Sequence, residues 1–299
     1  MEVVQVADRE PASGCRCRRK GRQLIDVWLS GHATDDGEVL RGVSFTPEDR
    51  GRISEAKIDE AAIAVREFVS RAHELGCLRL VVAVTSPGRQ AANAAQLISR
   101  LEQEACLAVE VLSGAEEARL AWDGALSRFG HREGSLLVCD VGGGSTELAF
   151  GTSADGPHWR RSIDLGSLRL TRRLLASGRP GKKRFAMAHA EVERVLDGLL
   201  MPLPARAVAV GGSARAVSKI AGESLGAEQL SEALRILRRR PSTRVTSEFG
   251  IDSARAPTVA AGALILAALQ QRIAVPLEVV GAGLREGLAL SLLAQRSAA

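Results

Sequence analysis

The sequence predicts an α/β protein, and three observations support this prediction. Short β-branched runs alternate with segments that repeat apolar residues at helical spacing, the pattern of sheets covered by helices. The 299 residues are 45% hydrophobic and 25% charged, as in folded globular chains, and they suffice for about two domains. The sequence contains no apolar run long enough to span a bilayer, so we expect no membrane partner.

Charge and cysteine usage restrict the partners and the compartment. The net charge of +5 suggests an anionic partner, but aromatic residues make up only 3% and tyrosine is absent. Nucleic acid is therefore disfavoured, because single strands are bound largely by stacking on aromatic side chains. The five cysteines are odd in number and mostly isolated, which favours a reducing compartment, so we expect a cytoplasmic protein.

The first half of the chain indicates a βαβ arrangement. Ser54 and Glu55 are typical of a helix start, apolar residues then recur at i, i+3 and i+4, and Gly76 ends the pattern. The predicted elements in this half are helix 54–76, strand 80–84, helix 88–104, strand 109–112, helix 114–126 and strand 136–140.

The second half changes to closely spaced strands followed by helices. Strands 146–150 and 159–163 flank a turn-rich stretch and predict antiparallel hairpins. Helices over 167–175 and 185–200 and a strand over 207–210 follow. Segment 258–273 is apolar nearly all round, which predicts a buried helix. We place a domain boundary near residue 132.

The segment Asp140-Val-Gly-Gly-Gly-Ser-Thr-Glu147 carries the strongest chemical signal. Three successive glycines let backbone N–H groups approach an anion with no side chain in the way. The carboxylate of Asp140, just before them, is suited to hold Mg²⁺ beside a bound phosphate. The alternative is a tight β-turn with an incidental acidic residue.

A second glycine pair, Gly211-Gly212, follows a predicted strand and opens a helix, and so offers N-terminal N–H groups to an anion. Strand-glycine-helix turns are common, so this pair alone is a weak signal. Two such turns in one chain suggest that two lobes face one phosphate-bearing ligand.

Six segments stand out by their order along the chain. They are Ala83–Asn93, Val111–Leu120, Asp140–Glu147, Ser162–Thr171, Gly211-Gly212 and Gly283–Gly287. Together they resemble the exopolyphosphatase and guanosine pentaphosphate phosphohydrolase family over about residues 50 to 290. Six ordered motifs are far more specific than either glycine turn alone.

The resemblance implies a fold and a reaction. The fold is the two-domain, ribonuclease H-like fold of actin, the heat-shock chaperone ATPases and acetate kinase, with the ligand in the cleft between domains. We expect residues 1–131, completed by a C-terminal helix over 286–299, to form one domain and residues 132–285 the other. Members of this family use Mg²⁺ to remove terminal phosphate from inorganic polyphosphate or guanosine pentaphosphate.

The resemblance also implies roles for individual residues. Glu117 would be the base that deprotonates the attacking water, and Asp140 would hold Mg²⁺, with Asp8 as a second candidate ligand. These roles suit phosphoryl transfer, which depends mostly on positioning and charge. The phosphate-binding residues would be Arg89, Gly142, Gly143, Gly144, Ser145, Gly211 and Gly212.

The amino terminus departs from the family pattern. Residues Val6–Ser13 stand where the family has an Asp-x-Gly-Ser-Asn type of loop, with Glu10 in place of the glycine and Pro11 in place of the serine. Proline removes a backbone donor, and glutamate adds negative charge. Two functions therefore stay open: a phosphohydrolase, or a sensor that binds polyphosphate or a guanosine polyphosphate without catalysis. The sequence does not choose between these two ligands, and it leaves a homodimer open.

Overall fold

A computed structural model describes residues 2–7, 26–29, 51–74, 77, 79–175 and 180–297. The chain forms two compact units, Met1–Ser113 with Leu288–Ala299, and Gly114–Gly287. The division predicted from sequence differs from these units mainly in one helix, α4 (Gly114–Phe129), which belongs to the second unit. The predicted ligand Asp8 and residues 9–13 after it lie outside the described residues.

The first unit is a four-stranded sheet with helices packed on it. The strand order is β2-β1-β3-β4, with β1 antiparallel to both of its neighbours and β3 parallel to β4. Its core joins one face of the first helix to the sheet, with Val65, Val82 and Leu97 buried. The elements are β1 (Glu2–Ala7), β2 (Asp26–Leu29), α1 (Glu55–Glu74), β3 (Arg79–Val84), α2 (Ser86–Gln90), α3 (Ala94–Ala105) and β4 (Val109–Val111).

The single helix predicted over 88–104 is wrong, because α2 and α3 are separated by residues 91–93. Asn93 lies in this break and is 6% exposed. Its side chain accepts a hydrogen bond from the Ile53 amide and donates one to the Ile53 carbonyl oxygen, both at 2.9 Å. A buried amide side chain must be paired, so these bonds fix the break.

The second unit is built on a six-stranded mixed sheet. Its strands are β5 (Ser135–Val141), β6 (Thr146–Thr152), β7 (Gly156–Ile163), β8 (Arg206–Val210), β9 (Ser224–Leu225) and β10 (Leu277–Val279). The order is β7-β6-β5-β8-β10-β9. Strands β5, β8 and β10 are parallel, whereas β5, β6 and β7 form the predicted antiparallel hairpins.

Helices cover both faces of this sheet. Alternate residues of β5 face opposite sides: Leu136 and Val138 pack with α4 and its buried Trp122, while Leu137 and Cys139 join the larger core on the other side. At the centre of that larger core lies α10 (Val259–Ile273), buried nearly all round as predicted. The remaining helices are α5 (Ser167–Leu170, continued by a π-helical turn over Thr171–Leu175), α6 (Lys182–Leu196), α7 (Gly211–Ala221), α8 (Ala227–Arg239), α9 (Ser242–Phe249) and α11 (Leu284–Ser297). None of the helices in the described part of the chain is long and apolar enough to cross a membrane.

The start of α11 touches α4 backbone to backbone. A Cβ added to Gly124 would collide with the Gly283 carbonyl group, and one added to Gly287 would collide with the Leu120 carbonyl group. Only glycine fits at such a close approach. The motif Gly283–Gly287 therefore holds α4, the helix that carries Glu117, against its own unit.

Candidate active site

Both glycine turns lie at one edge of the second unit's sheet. Strands β5 and β8 are adjacent and parallel, and Asp140 is in register with Val210. The turn Gly142–Ser145 follows β5, and Gly211 follows β8, so both turns leave the carboxyl ends of neighbouring strands, where α/β proteins commonly bind ligands. Both turns therefore lie in the same unit, Gly114–Gly287, so they do not by themselves provide two lobes for one ligand.

The first glycine turn presents backbone amides in a defined direction. The Gly142 amide donates to the Ser145 carbonyl oxygen at 3.0 Å, and this bond closes the turn. The carbonyl oxygens of Gly142 and Gly143 accept hydrogen bonds from the amides of Ser167 and Leu168, both at 2.9 Å. In a trans peptide the C=O and the following N–H point in opposite directions. The amides of Gly143 and Gly144 therefore point away from α5, as an anion site requires.

The segment Ser162–Thr171, one of the six motifs, packs against this turn. A Cβ on Gly166 would collide with the Gly143 and Gly144 backbone, so glycine allows a close approach there. The Thr146 hydroxyl donates to the Leu165 carbonyl oxygen. The Ser213 hydroxyl in α7 lies 3.3 Å from the Ser167 hydroxyl, which links the two glycine turns.

Three carboxylates gather beside the first turn. Asp140 and Glu147 are direct cross-strand partners, and Glu147 is 5% exposed. Glu117, in the first turn of α4, is 4% exposed. Burial, the nearby Glu117 and then Asp140 raise the pKa of Glu147 to about 8, although hydrogen bonds from Ser162 and Ser145 act in the opposite direction. The Ser162 hydroxyl donates to Glu147 Oε1 at 2.7 Å.

The second glycine turn leaves room for two charged groups. Gly211 has φ +82°, and a Cβ there would collide with the carboxylate of Asp140. A Cβ on Gly212 would collide with the guanidinium of Arg255. The positive φ of Gly211 favours glycine there, whereas at Gly212 a side chain would displace the end of Arg255.

The predicted phosphate ligand Arg89 lies in the first unit, on the short helix α2. Its side chain is half-buried, and its guanidinium donates to the Leu112 carbonyl oxygen. The structure therefore places Glu117, Asp140, residues 142–145 and the pair 211–212 in one unit, and Arg89 in the other.

The carboxylates fit a magnesium ion that is held mainly by water and substrate. Among the described residues there is no group of three or more His, Cys, Asp or Glu side chains arranged to enclose a metal. Mg²⁺ characteristically takes one or two carboxylates, keeps several waters and binds substrate phosphates. Burial first, and then the neighbouring Glu117 and Asp140, raise the pKa of Glu147, so negative charge on this cluster is unfavourable. A cation held by Asp140 and Glu147 would balance it.

Sequence reasoning placed Glu147 in the motif but gave it no role. The available signal was the turn itself, because a four-residue connection over 142–145 pairs position 140 with position 147. Two acidic residues on one pair then point to the same face of the sheet. The hydrogen bond from Ser162 to Glu147 could not be read from the sequence, because it requires the register of β7 against β6.

A glycine turn beside acidic side chains is an arrangement that suits phosphate binding and phosphoryl hydrolysis. The sequence profile of the Ppx/GppA phosphatase family matches residues 43–296, and the chain belongs to that family.

Curated relatives and solved structures agree with this membership. Exopolyphosphatase 1 of Mycobacterium leprae is 29% identical over 290 residues, covering 90% of this chain and 85% of that protein. A guanosine-5'-triphosphate,3'-diphosphate pyrophosphatase of Aeromonas salmonicida is 29% identical over 146 residues, 49% of this chain and 29% of that protein. The crystal structure of an exopolyphosphatase from Cytophaga hutchinsonii matches with a TM-score of 0.76 at 20% identity, covering 91% of this chain and 89% of that one. The Ppx/GppA protein of Aquifex aeolicus matches with a TM-score of 0.71 at 23% identity, with the same coverage. These structures confirm the predicted fold class.

Proposed function

We propose that this protein hydrolyses the terminal phosphoanhydride bond of inorganic polyphosphate, with guanosine pentaphosphate as the second candidate substrate. The observation that carries the proposal is the gathering of Glu117, Asp140 and Glu147 beside a turn whose amides point outward. Polyphosphate is placed first because the similarity to an exopolyphosphatase covers 90% of the chain, against 49% for the guanosine polyphosphate enzyme.

In the proposed reaction, Glu117 takes a proton from water as the water oxygen attacks the terminal phosphorus. The bond from that phosphorus to the bridging oxygen breaks, and the shortened chain leaves with the bonding electron pair. The amides of Gly143 and Gly144 would donate to the terminal phosphate oxygens, whose charge must be offset during transfer. Asp140 and Glu147 would hold Mg²⁺, which when bound neutralises phosphate charge. The family resemblance also assigns Arg89 to the phosphate oxygens, and this role stays a prediction.

The electrostatics of the site support a division of labour between the two buried glutamates. Neighbouring buried carboxylates resist being ionised together. A Mg²⁺ ion held by Asp140 and Glu147 would offset the charge of Glu147 beside Glu117, which favours Glu117 as the group that accepts a proton from water.

The test is phosphate release with Mg²⁺ from long-chain polyphosphate and from guanosine pentaphosphate in parallel. We expect Glu117→Gln to lower kcat by about 10²–10⁴-fold, the usual contribution of a general base, with ligand affinity retained. Glu116→Gln is the matched control, because Glu116 is the adjacent residue in the same helical turn and is exposed. Full turnover in Glu117→Gln would show that Glu117 is not the base. If the wild type binds either anion tightly but releases no phosphate, the protein is a sensor and not a hydrolase.

The proposal also includes a cellular compartment and an oligomeric state. The cysteine usage favours the reducing cytoplasm, and a homodimer stays a prediction that sedimentation analysis would test.

A further inference from the structure

A chain of hydrogen bonds runs from helix α7 to the back of the first glycine turn. The Ser213 hydroxyl, in the first turn of α7, donates to the Ser167 hydroxyl at 3.3 Å. The Ser167 hydroxyl in turn donates to the Gly142 carbonyl oxygen at 3.1 Å. A carbonyl oxygen can only accept a hydrogen bond, so the direction of the whole chain is fixed from Ser213 to Gly142.

Both hydroxyl groups of this chain lie in the protein interior. Ser167 and Ser213 are buried. Helix α10 passes Ser213 with a glycine, since a Cβ on Gly262 would lie 2.9 Å from the Ser213 Cβ and 3.2 Å from its hydroxyl oxygen. Buried hydroxyls are normally hydrogen-bonded, and these two bond to each other and to the turn. The close packing therefore holds the chain in one arrangement.

The chain ends on a peptide group of the turn that faces the anion. Glycine has more backbone freedom than other residues, so three glycines do not hold their own peptide planes. The Gly142 carbonyl oxygen accepts hydrogen bonds from both the amide and the hydroxyl of Ser167. Because this carbonyl shares a rigid plane with the Gly143 N–H, the two bonds also fix the direction of that N–H. Hydrogen bonds in a chain polarise one another, which makes the Gly143 amide a stronger donor.

We infer that Ser167 and Ser213 are positioning residues that orient the Gly143 amide towards the phosphate. This inference rests on the proposed function for the identity of the ligand. It gives α7 a share in binding at the first turn, because Ser213 directly follows the glycine pair of the second turn. It also requires that Ser213 acts on the turn only through Ser167.

The first measurement needs no ligand. In protein labelled at the glycine nitrogens, the NMR resonance of the Gly143 amide is assigned from its loss in Gly143→Ala. This resonance should shift in Ser167→Ala and, by a smaller amount in the same direction, in Ser213→Ala, because the polarisation of its peptide group is reduced. A Gly143 resonance that stays in place in both serine variants would overturn the inference.

The second measurement is binding without turnover. Sodium tripolyphosphate is titrated calorimetrically, with Mg²⁺, into Glu117→Gln protein that also carries Ser167→Ala, Ser213→Ala or both. We expect Ser167→Ala to weaken binding by about fivefold, the size of one neutral hydrogen bond, and Ser213→Ala by about threefold. The double variant should bind like Ser167→Ala alone, because Ser213 acts through Ser167. Losses that multiply in the double variant would show two independent effects and contradict the chain.

The control Thr171→Val separates orientation of the amide from general stability. Thr171 is buried, and its hydroxyl donates to the Ser167 carbonyl oxygen at 2.7 Å, outside the chain to Gly142. We expect this variant to lower the melting temperature, as the serine variants do, and to leave tripolyphosphate affinity unchanged. If it weakens binding as much as Ser167→Ala, the serines only stabilise α5 and the inference is wrong. If the wild type neither binds nor hydrolyses tripolyphosphate but the Gly143 resonance shifts as expected, the proposed function fails and the orientation of the amide stands.

Discussion

The substitution Glu147→Gln tests the electrostatics of the carboxylate cluster directly. The folded protein keeps a proton on Glu147 up to about pH 8, whereas the unfolded chain loses it near the ordinary value of 4.5. Between these values the unfolded state binds fewer protons, so the free energy of unfolding falls as pH rises. Glutamine cannot ionise, so the variant should lack this part of the pH dependence.

The size of the expected gain in the free energy of unfolding follows from the interval between the two pKa values of Glu147. The pKa rises from 4.5 to about 8, and each pKa unit corresponds to about 1.4 kcal/mol. The upper limit on the cost of ionising Glu147 in the folded protein is therefore about 5 kcal/mol. Relaxation and water entry reduce the cost of a buried charge. We therefore expect the variant to gain roughly 2–5 kcal/mol over the wild type between about pH 5 and pH 8.5.

The assay is urea denaturation over this pH range, followed by circular dichroism and tryptophan fluorescence. Glu278→Gln is the control, because Glu278 lies on β10 of the same sheet with its side chain exposed. Its stability difference from the wild type should be nearly independent of pH. A difference for Glu147→Gln that is equally flat would show that Glu147 is ionised at neutral pH, and would refute the reasoning.

Two further predictions concern the metal and the helix contact. Asp140→Asn should raise the Mg²⁺ concentration needed for half-maximal phosphate release by at least about tenfold, because a charged ligand is lost; an unchanged Mg²⁺ dependence would remove Asp140 from the metal shell. Gly124→Ala should lower the free energy of unfolding by about 3 kcal/mol, because its Cβ would collide with backbone that cannot move aside easily. Gly281→Ala is the control, since a Cβ there meets nothing within 4 Å, and equal stability of the two variants would contradict the backbone contact.

Local sequence patterns were sufficient to predict elements whose structure depends only on their own residues. Periodicity alone predicted the buried helix α10, and the spacing of strands around residues 151–158 predicted the β6–β7 hairpin. The helix over 88–104 was wrong because its break depends on Asn93 pairing with Ile53, 40 residues earlier. A periodic pattern carries no information about such a bond.

Prediction of the candidate site was limited in the same way, because the site also depends on contacts between distant segments. The glycine turns were visible as local patterns, and the family motifs pointed to Glu117 and Asp140. The assignment of both turns to one sheet edge required the pairing of β5 with β8, about 70 residues apart.

The division of the chain into units bears on how the protein is made. The first unit needs residues from both ends, whereas Gly114–Gly287 is continuous. Because domains fold as units, the continuous unit can fold on its own residues, whereas the first unit is complete only when the segment after residue 287 is also available. The part that holds Glu117 and Asp140 can thus mature first, although it is encoded second.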